Sequence, residues 1–287
     1  MKHDVTHRWL VSWPYLEGRI HRRSVLVDAV ARYDTEVLID SGAFTFDRLG
    51  VQDKTVKEYA AFLRGLEIKP VDYFMLDVRG DAEATLRNYR EMLDMGLRPV
   101  PIWTRGAPVE HFHEMADTAD YVGVGGLNIG KPYEGTDEYL RWLHHEVMRP
   151  GDAVHWLGVA KYELINYYLP RQCDASTWQM GYRWGRWRSY YGGGRWGDVL
   201  AGGKKWTLAN QFQLEDYRAL RRVGYNDADA IFGDHTLQSE ACAAQFLCYA
   251  TELAQRGTKM FFATSNPELF LGLIKAHERG RDVGLYA

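Results

Sequence analysis

The alternation of two kinds of segment constrains this chain more than any other feature. Short apolar runs rich in β-branched and aromatic residues lie at Trp9–Ser12, Glu36–Asp40, Tyr73–Asp77, Arg98–Trp103, Tyr121–Gly125, Val154–Val159 and Gln172–Ala175. Longer amphipathic stretches fall between them, near 24–33, 55–66, 81–95, 108–117, 136–147 and 161–168. Apolar residues repeating at helical spacing predict helices, and short β-rich runs bounded by turn residues predict strands. A strand every 20–35 residues or so suits βα units on a parallel sheet. Asp81 after Gly80, Pro108, and Thr136 followed by acidic residues supply helix starts.

Such units form either an open doubly wound sheet or a closed (β/α)8 barrel. Asp40, Asp77, Thr104, Gly125-Gly126, Lys161 and Asp174 all stand at the C-terminal ends of runs. A barrel gathers every one of those ends around one axis, whereas an open sheet gathers only those at its switch point. The expectation is therefore an α/β fold, a TIM-type (β/α)8 barrel with a helical C-terminal extension. Seven strands are counted, and the eighth stays open between Lys205–Leu208 and a segment near the N-terminus. Residues 214–223, 235–256 and 266–279 read as helices, the last with Pro267 at its first position. With no internal repeat and no Ser/Pro linker, all 287 residues are expected in one barrel domain, with an insertion at 181–206 and a helical part over 214–287.

Hydrophobic residues at 46% and charged residues at 25% exclude wholesale disorder. No run of 18 apolar residues predicts a membrane span, and the N-terminus leads into no signal-peptide core, so a cytoplasmic protein is expected. Cys173, Cys242 and Cys248 are odd in number and far apart, which fits a reducing compartment rather than a disulfide framework. The net charge of −3 hides a division, because residues 181–206 carry +5 and the rest −8. That segment holds Arg183, Arg186, Arg188, Arg195, Lys204 and Lys205 interleaved with Trp184, Trp187, Trp196 and Trp206. Basic residues neutralise phosphates and flat aromatics stack on bases, so the segment is a candidate nucleic-acid contact.

Four motifs carry chemistry. Leu38-Ile39-Asp40-Ser41-Gly42-Ala43-Phe44-Thr45 is an apolar strand ending in an acid and a flexible turn; Asp40 either caps that turn or serves a ligand. Tyr73–Asp77 ends in a second acid, with Arg79 as an alternative ion-pair partner. Val122–Gly130 is a glycine-rich loop without the spacing of a dinucleotide fingerprint. Gln172-Cys173-Asp174-Ala175-Ser176 supplies a third strand-end acid. A retaining glycosyl transfer needs two carboxylates, one as nucleophile and one as acid/base. His111, His113, His144 and His145 have no matching ligand set, and the cysteines have no CxxC spacing, so no metal site is expected.

Taken in order, these motifs resemble the tRNA-guanine transglycosylase superfamily. Asp40–Thr45 resembles its DSGGFQ, Gly125–Gly130 its GGLAVG, Trp156–Ala160 its LMGVG strand, and Cys173–Ser176 the FDC strand end. The resemblance covers roughly residues 35–180, and it implies a (β/α)8 barrel. It assigns Asp174 as nucleophile toward C1′ of a guanosine nucleotide and Asp40 as acid/base. It assigns Asp77 to the Watson–Crick edge of the base, with Ser41 and Gly42 beside it and backbone groups of Gly125, Gly126 and Leu127 facing the base. The base-pocket Gln of bacterial members falls at Trp103 or Thr104. Lys131 stands where those members have Glu and would repel a cationic aminomethyl group, so a neutral 7-deazaguanine such as preQ0 is the expected free base. The CxCxxC zinc motif of the tRNA enzymes has no counterpart, which implies no zinc. The resemblance is greatest to the DNA-modifying branch of phages and genomic islands. DNA is thus the expected partner, with tRNA, or a small substrate of a barrel glycosidase or nucleoside hydrolase, as alternatives.

Overall fold

The computed structural model describes residues 6–48, 50–51, 54–127, 135–179, 187–199 and 212–282. Eight parallel strands curl into one sheet: β1 (His7–Ser12), β2 (Thr35–Asp40), β3 (Asp72–Tyr73), β4 (Ile102–Thr104), β5 (Val122–Gly125), β6 (Val154–Trp156), β7 (Gln172–Ala175) and β10 (Lys259–Thr264). Their order is β3-β2-β1-β10-β7-β6-β5-β4. A parallel bridge between Phe74 and Val100 joins the two ends, with Met75 N–H donating to the Val100 carbonyl at 2.9 Å and Val100 N–H to that of Tyr73 at 2.8 Å. The (β/α)8 expectation therefore holds.

The eighth strand is neither sequence candidate. Lys259–Thr264 fills the gap between β7 and β1, pairing Phe261 with Asp174 and Phe262 with Trp9. Its Met260-Phe261-Phe262-Ala263 run is apolar throughout, as in parallel strands covered on both faces. No alternation marks it off from the helices on either side, His235–Gln255 and Phe270–Asp282. Lys205–Leu208 lies outside the described residues. The helical part expected over 214–287 thus contains the barrel's last strand, and the chain between β7 and β10 is one long excursion.

That excursion holds an antiparallel hairpin, β8 (Trp187–Gly192) and β9 (Arg195–Val199), and the helices Leu214–Arg222, Ala228–Gly233 and His235–Gln255. Glu252 pins the hairpin tip. It accepts from Tyr190 Oη at 2.6 Å, Gly193 N–H at 3.1 Å and Tyr162 Oη at 3.0 Å.

Side chains along the strands alternate between barrel interior and helix layer. Outward residues build the aromatic interface with the helices: Trp9 stacks on Phe270 at 4.3 Å, and Trp103 lies against Phe112 and Tyr139. Trp9, Trp13, Trp103, Trp156 and Trp187 are fully buried, so much of the tryptophan excess belongs to the core. Helix starts follow local capping. Thr55 and Glu58 form a reciprocal box, and the Asp81 and Asp234 carboxylates accept the first free amides of their helices.

The interior is layered. At the N-terminal end Glu36 binds Arg8 at 2.8 Å and Lys259 at 2.9 Å, while Tyr121 Oη donates to Asp72 at 2.8 Å. Phe74, His155 and Phe261 pack in the middle. Gly123 makes room there, because a Cβ would lie 2.9 Å from the Phe74 ring and 3.2 Å from the Pro101 carbonyl. Overpacking at such a site costs about 1–3 kcal/mol. Gly123→Ala should therefore lower the thermal midpoint by several degrees, measured by calorimetry. Among the described residues no helix is long and apolar enough to cross a membrane.

Candidate active site

The three acids come together at the C-terminal mouth of the barrel. Asp174 is the last residue but one of β7, Asp40 ends β2, and Asp77 follows β3. Beyond Phe74 the chain leaves the ladder. The Leu76 carbonyl accepts from Asn88 Nδ2, and Val78 N–H donates to Thr85 Oγ1, so side chains of the next helix carry Asp77 to the rim. The strand expected over Tyr73–Asp77 is shorter for that reason.

Asp174 is buried, with 7% of its surface exposed. Its Oδ1 accepts from Gly158 N–H at 2.9 Å and contacts His155 Nε2 at 3.1 Å. Oδ2 has no hydrogen-bond partner among the described residues. Asp40 stands in a different setting. Burial pushes its carboxyl up to about 6, and the negative charges of Asp77 and Asp174 add to the rise, against hydrogen bonds from Ser12 and the Gly42 amide. Burial also raises Asp77, opposed by Ser41 Oγ, which donates to its Oδ1 at 3.0 Å. Neighbouring carboxyls held in unlike environments divide into an acid and a base.

The turn after Asp40 depends on Gly42. Its φ of +77° favours glycine, and a Cβ would fall 2.2 Å from the Pro14 ring. Its N–H donates to Asp40 Oδ2 at 3.1 Å, which fixes the carboxyl at the rim. Across the mouth Gly126 sits at φ +75°, packed on Thr104 and Arg105. The Gly125 carbonyl accepts from Arg105 N–H at 3.1 Å, and the Leu127 carbonyl from Thr136 Oγ1 at 3.0 Å. The amides of Gly126 and Leu127 have no partner among the described residues and can donate to a flat polar ligand.

Two expectations need correction. Trp103 is not turned toward the barrel mouth. It faces the helix layer at 1% exposure, and its Nε1 donates to the Pro108 carbonyl at 2.9 Å. Strand alternation instead turns Thr104 toward the interior, where its Oγ1 would be 3.3 Å from a Cβ on Gly125. Trp187 cannot stack on a base, since it is fully buried and its Nε1 donates to Ser189 Oγ at 2.7 Å. Arg188 lies over the Trp196 ring at 4.8 Å. Arg195 shares a hollow of 170 Å³ with Arg218 and Arg222 of the neighbouring helix. A further hollow of 420 Å³ is lined by Tyr190, Arg222, Glu252 and Arg256; neither hollow includes any of the three acids. Lys131, Arg183, Trp184, Arg186, Lys204 and Lys205 lie outside the described residues.

Of the four histidines considered for metal binding, His145 is exposed and the other three are packed or paired. His111 meets Glu83 at 3.2 Å, His113 meets the Val147 carbonyl at 2.9 Å, and burial pushes His144 down to about 4. The histidine that reaches the site is His155, which motif reading passes over. Its signal was present: an ionisable residue at the inward position of a buried strand, in register with Gln172 on β7. No protein-family model and no curated protein matches the chain.

Proposed function

We propose that this protein is a base-exchange glycosyltransferase that replaces guanine in DNA with a 7-deazaguanine such as preQ0, through a covalent ester between Asp174 and C1′. The observation that carries the reading is the meeting of three strand-end carboxyls in unlike settings: Asp174 with one oxygen held and the other open, beside Asp40 raised to about 6.

The target guanine leaves the stack to reach the barrel mouth, at a cost of a few kcal/mol. Asp174 Oδ2 attacks C1′, the C1′–N9 bond breaks, and its electron pair leaves with the purine. Protonated Asp40 delivers the proton that makes the departing guanine neutral. Asp77 and the Gly126 and Leu127 amides hold the edge of the base. The incoming deazaguanine gives a proton to ionised Asp40, attacks C1′, and returns the electron pair to Asp174. One glycosidic bond replaces another, so the exchange needs no energy source. Arg195, Arg218 and Arg222 offer charge for phosphates, a sequence-independent contribution that weakens with salt.

The test is incorporation of labelled guanine into duplex DNA and, in parallel, into tRNA. Label is expected in DNA. Label in tRNA alone would reassign the nucleic acid, and release of guanine without incorporation would indicate a hydrolase.

A further inference from the structure

The held oxygen of Asp174 belongs to a buried polar column that runs down the barrel axis. His155 has no exposed surface and is flanked by Phe74, with ring centroids 5.0 Å apart, and by Phe261 at 6.1 Å. Its Nε2 lies 3.1 Å from Asp174 Oδ1, and its Nδ1 lies 3.1 Å from Gln172 Oε1. The Gln172 amide also hydrogen-bonds the Tyr121 phenol, whose own proton goes to Asp72 Oδ2 at 2.8 Å.

This network fixes the protons. A phenol has one O–H, and Tyr121 gives it to Asp72. Its oxygen therefore accepts from the Gln172 NH2, which turns the Gln172 carbonyl toward His155. A carbonyl only accepts, so Nδ1 carries a proton. With Nδ1 protonated, the Nε2–Oδ1 contact to a carboxylate requires a second proton on the ring. A proton must lie between Nε2 and Oδ1, and because the Gly158 amide donates to that same oxygen, Oδ1 is the acceptor and the proton belongs to the ring.

We infer that His155 is a positioning residue, protonated on both ring nitrogens, that clamps Asp174 Oδ1 together with the Gly158 amide. The inference rests on the transglycosylase reading for its role in turnover, but not for the protonation itself. The clamp leaves Oδ2 as the oxygen that attacks. Once the ester forms, Oδ1 becomes its carbonyl oxygen, and the same two N–H donors face it. As the C1′–Oδ2 bond breaks in the second displacement, negative charge returns to the carboxyl under those donors. Preorganised donors aimed at developing charge typically contribute about 10²–10³ in rate. The clamp therefore speeds departure of Asp174 from C1′ and has less effect on binding of nucleic acid.

The test is nitrogen NMR of the full-length protein labelled at its histidine rings, with His155 assigned by its loss in His155→Gln. The expected result is two protonated ring nitrogens for His155 at neutral pH. A bare Nε2 or a bare Nδ1 would overturn the inference and leave the transglycosylase reading intact. In turnover, His155→Phe should lower kcat about 10²-fold with a small change in KM, and His155→Gln, which keeps an N–H donor, should recover at least tenfold of that loss. Equal loss in both variants, each checked for a wild-type thermal midpoint, would overturn the clamp.

Discussion

Asp174→Ala should abolish exchange of labelled guanine while leaving a folded protein. Removing the nucleophile of a covalent mechanism typically costs about 10⁴–10⁶ in rate, because the remaining groups act only as a unit with it. Folding should survive for a local reason. Asp174 lies near the mouth, so its loss frees the exposed Gly158 amide to solvent and leaves one buried donor, His155 Nε2, without its partner, at a cost of about 1–3 kcal/mol. Kinetics on Asp174→Ala with an intact thermal transition check this. Rates near wild type would remove Asp174 from the chemistry.

Asp40→Asn should do two opposite things. Exchange should fall about 10²–10⁴-fold, the usual contribution of a positioned acid/base. Stability should rise. The carboxyl sits at about 6 in the folded protein against 3.8 for the free group, so the folded state holds a proton that the unfolded chain releases. The sign follows from linkage. The ionisation cost is absent below about pH 4, grows through the window up to about 6, and is fully present above it. A shift of that size corresponds to about 3 kcal/mol. The Asn variant should gain several degrees in thermal midpoint at pH 7 and little at pH 4. The wild-type rate should decline above about pH 6, where the acid form of Asp40 is lost. A variant that is less stable at pH 7, or a rate that rises through that range, would contradict this assignment.

The sequence made the three carboxyls at the mouth visible because strand ends are sharp signals: an apolar run closes on an acid and a small turn. Gln172–Ala175 matches β7 at both ends, and Asp40 closes β2 as expected. Other features depend on pairings between distant segments. Lys259–Thr264 could not be separated from its helical neighbours because a strand buried on both faces shows no alternation. The direction of Trp103 depends on which parity of β4 faces the axis, which Gly123 and Gly125 on the neighbouring strand decide by leaving space. His155 needs the β6–β7 register before its link to Gln172 and Asp174 appears. Composition misled on tryptophan: clustering in the basic segment suggested base stacking, yet Trp187 is core.

A covalent ester on Asp174 is what separates base exchange from simple binding at this mouth. The direct measurement is to incubate the protein with a guanine-containing DNA strand in the absence of any incoming base, denature it, and weigh the product. The expected product is a species equal in mass to the protein plus the strand minus guanine, with the attachment mapped to Asp174 and missing in Asp174→Ala. Exchange that proceeds with no such species, or an attachment at another residue, would contradict it.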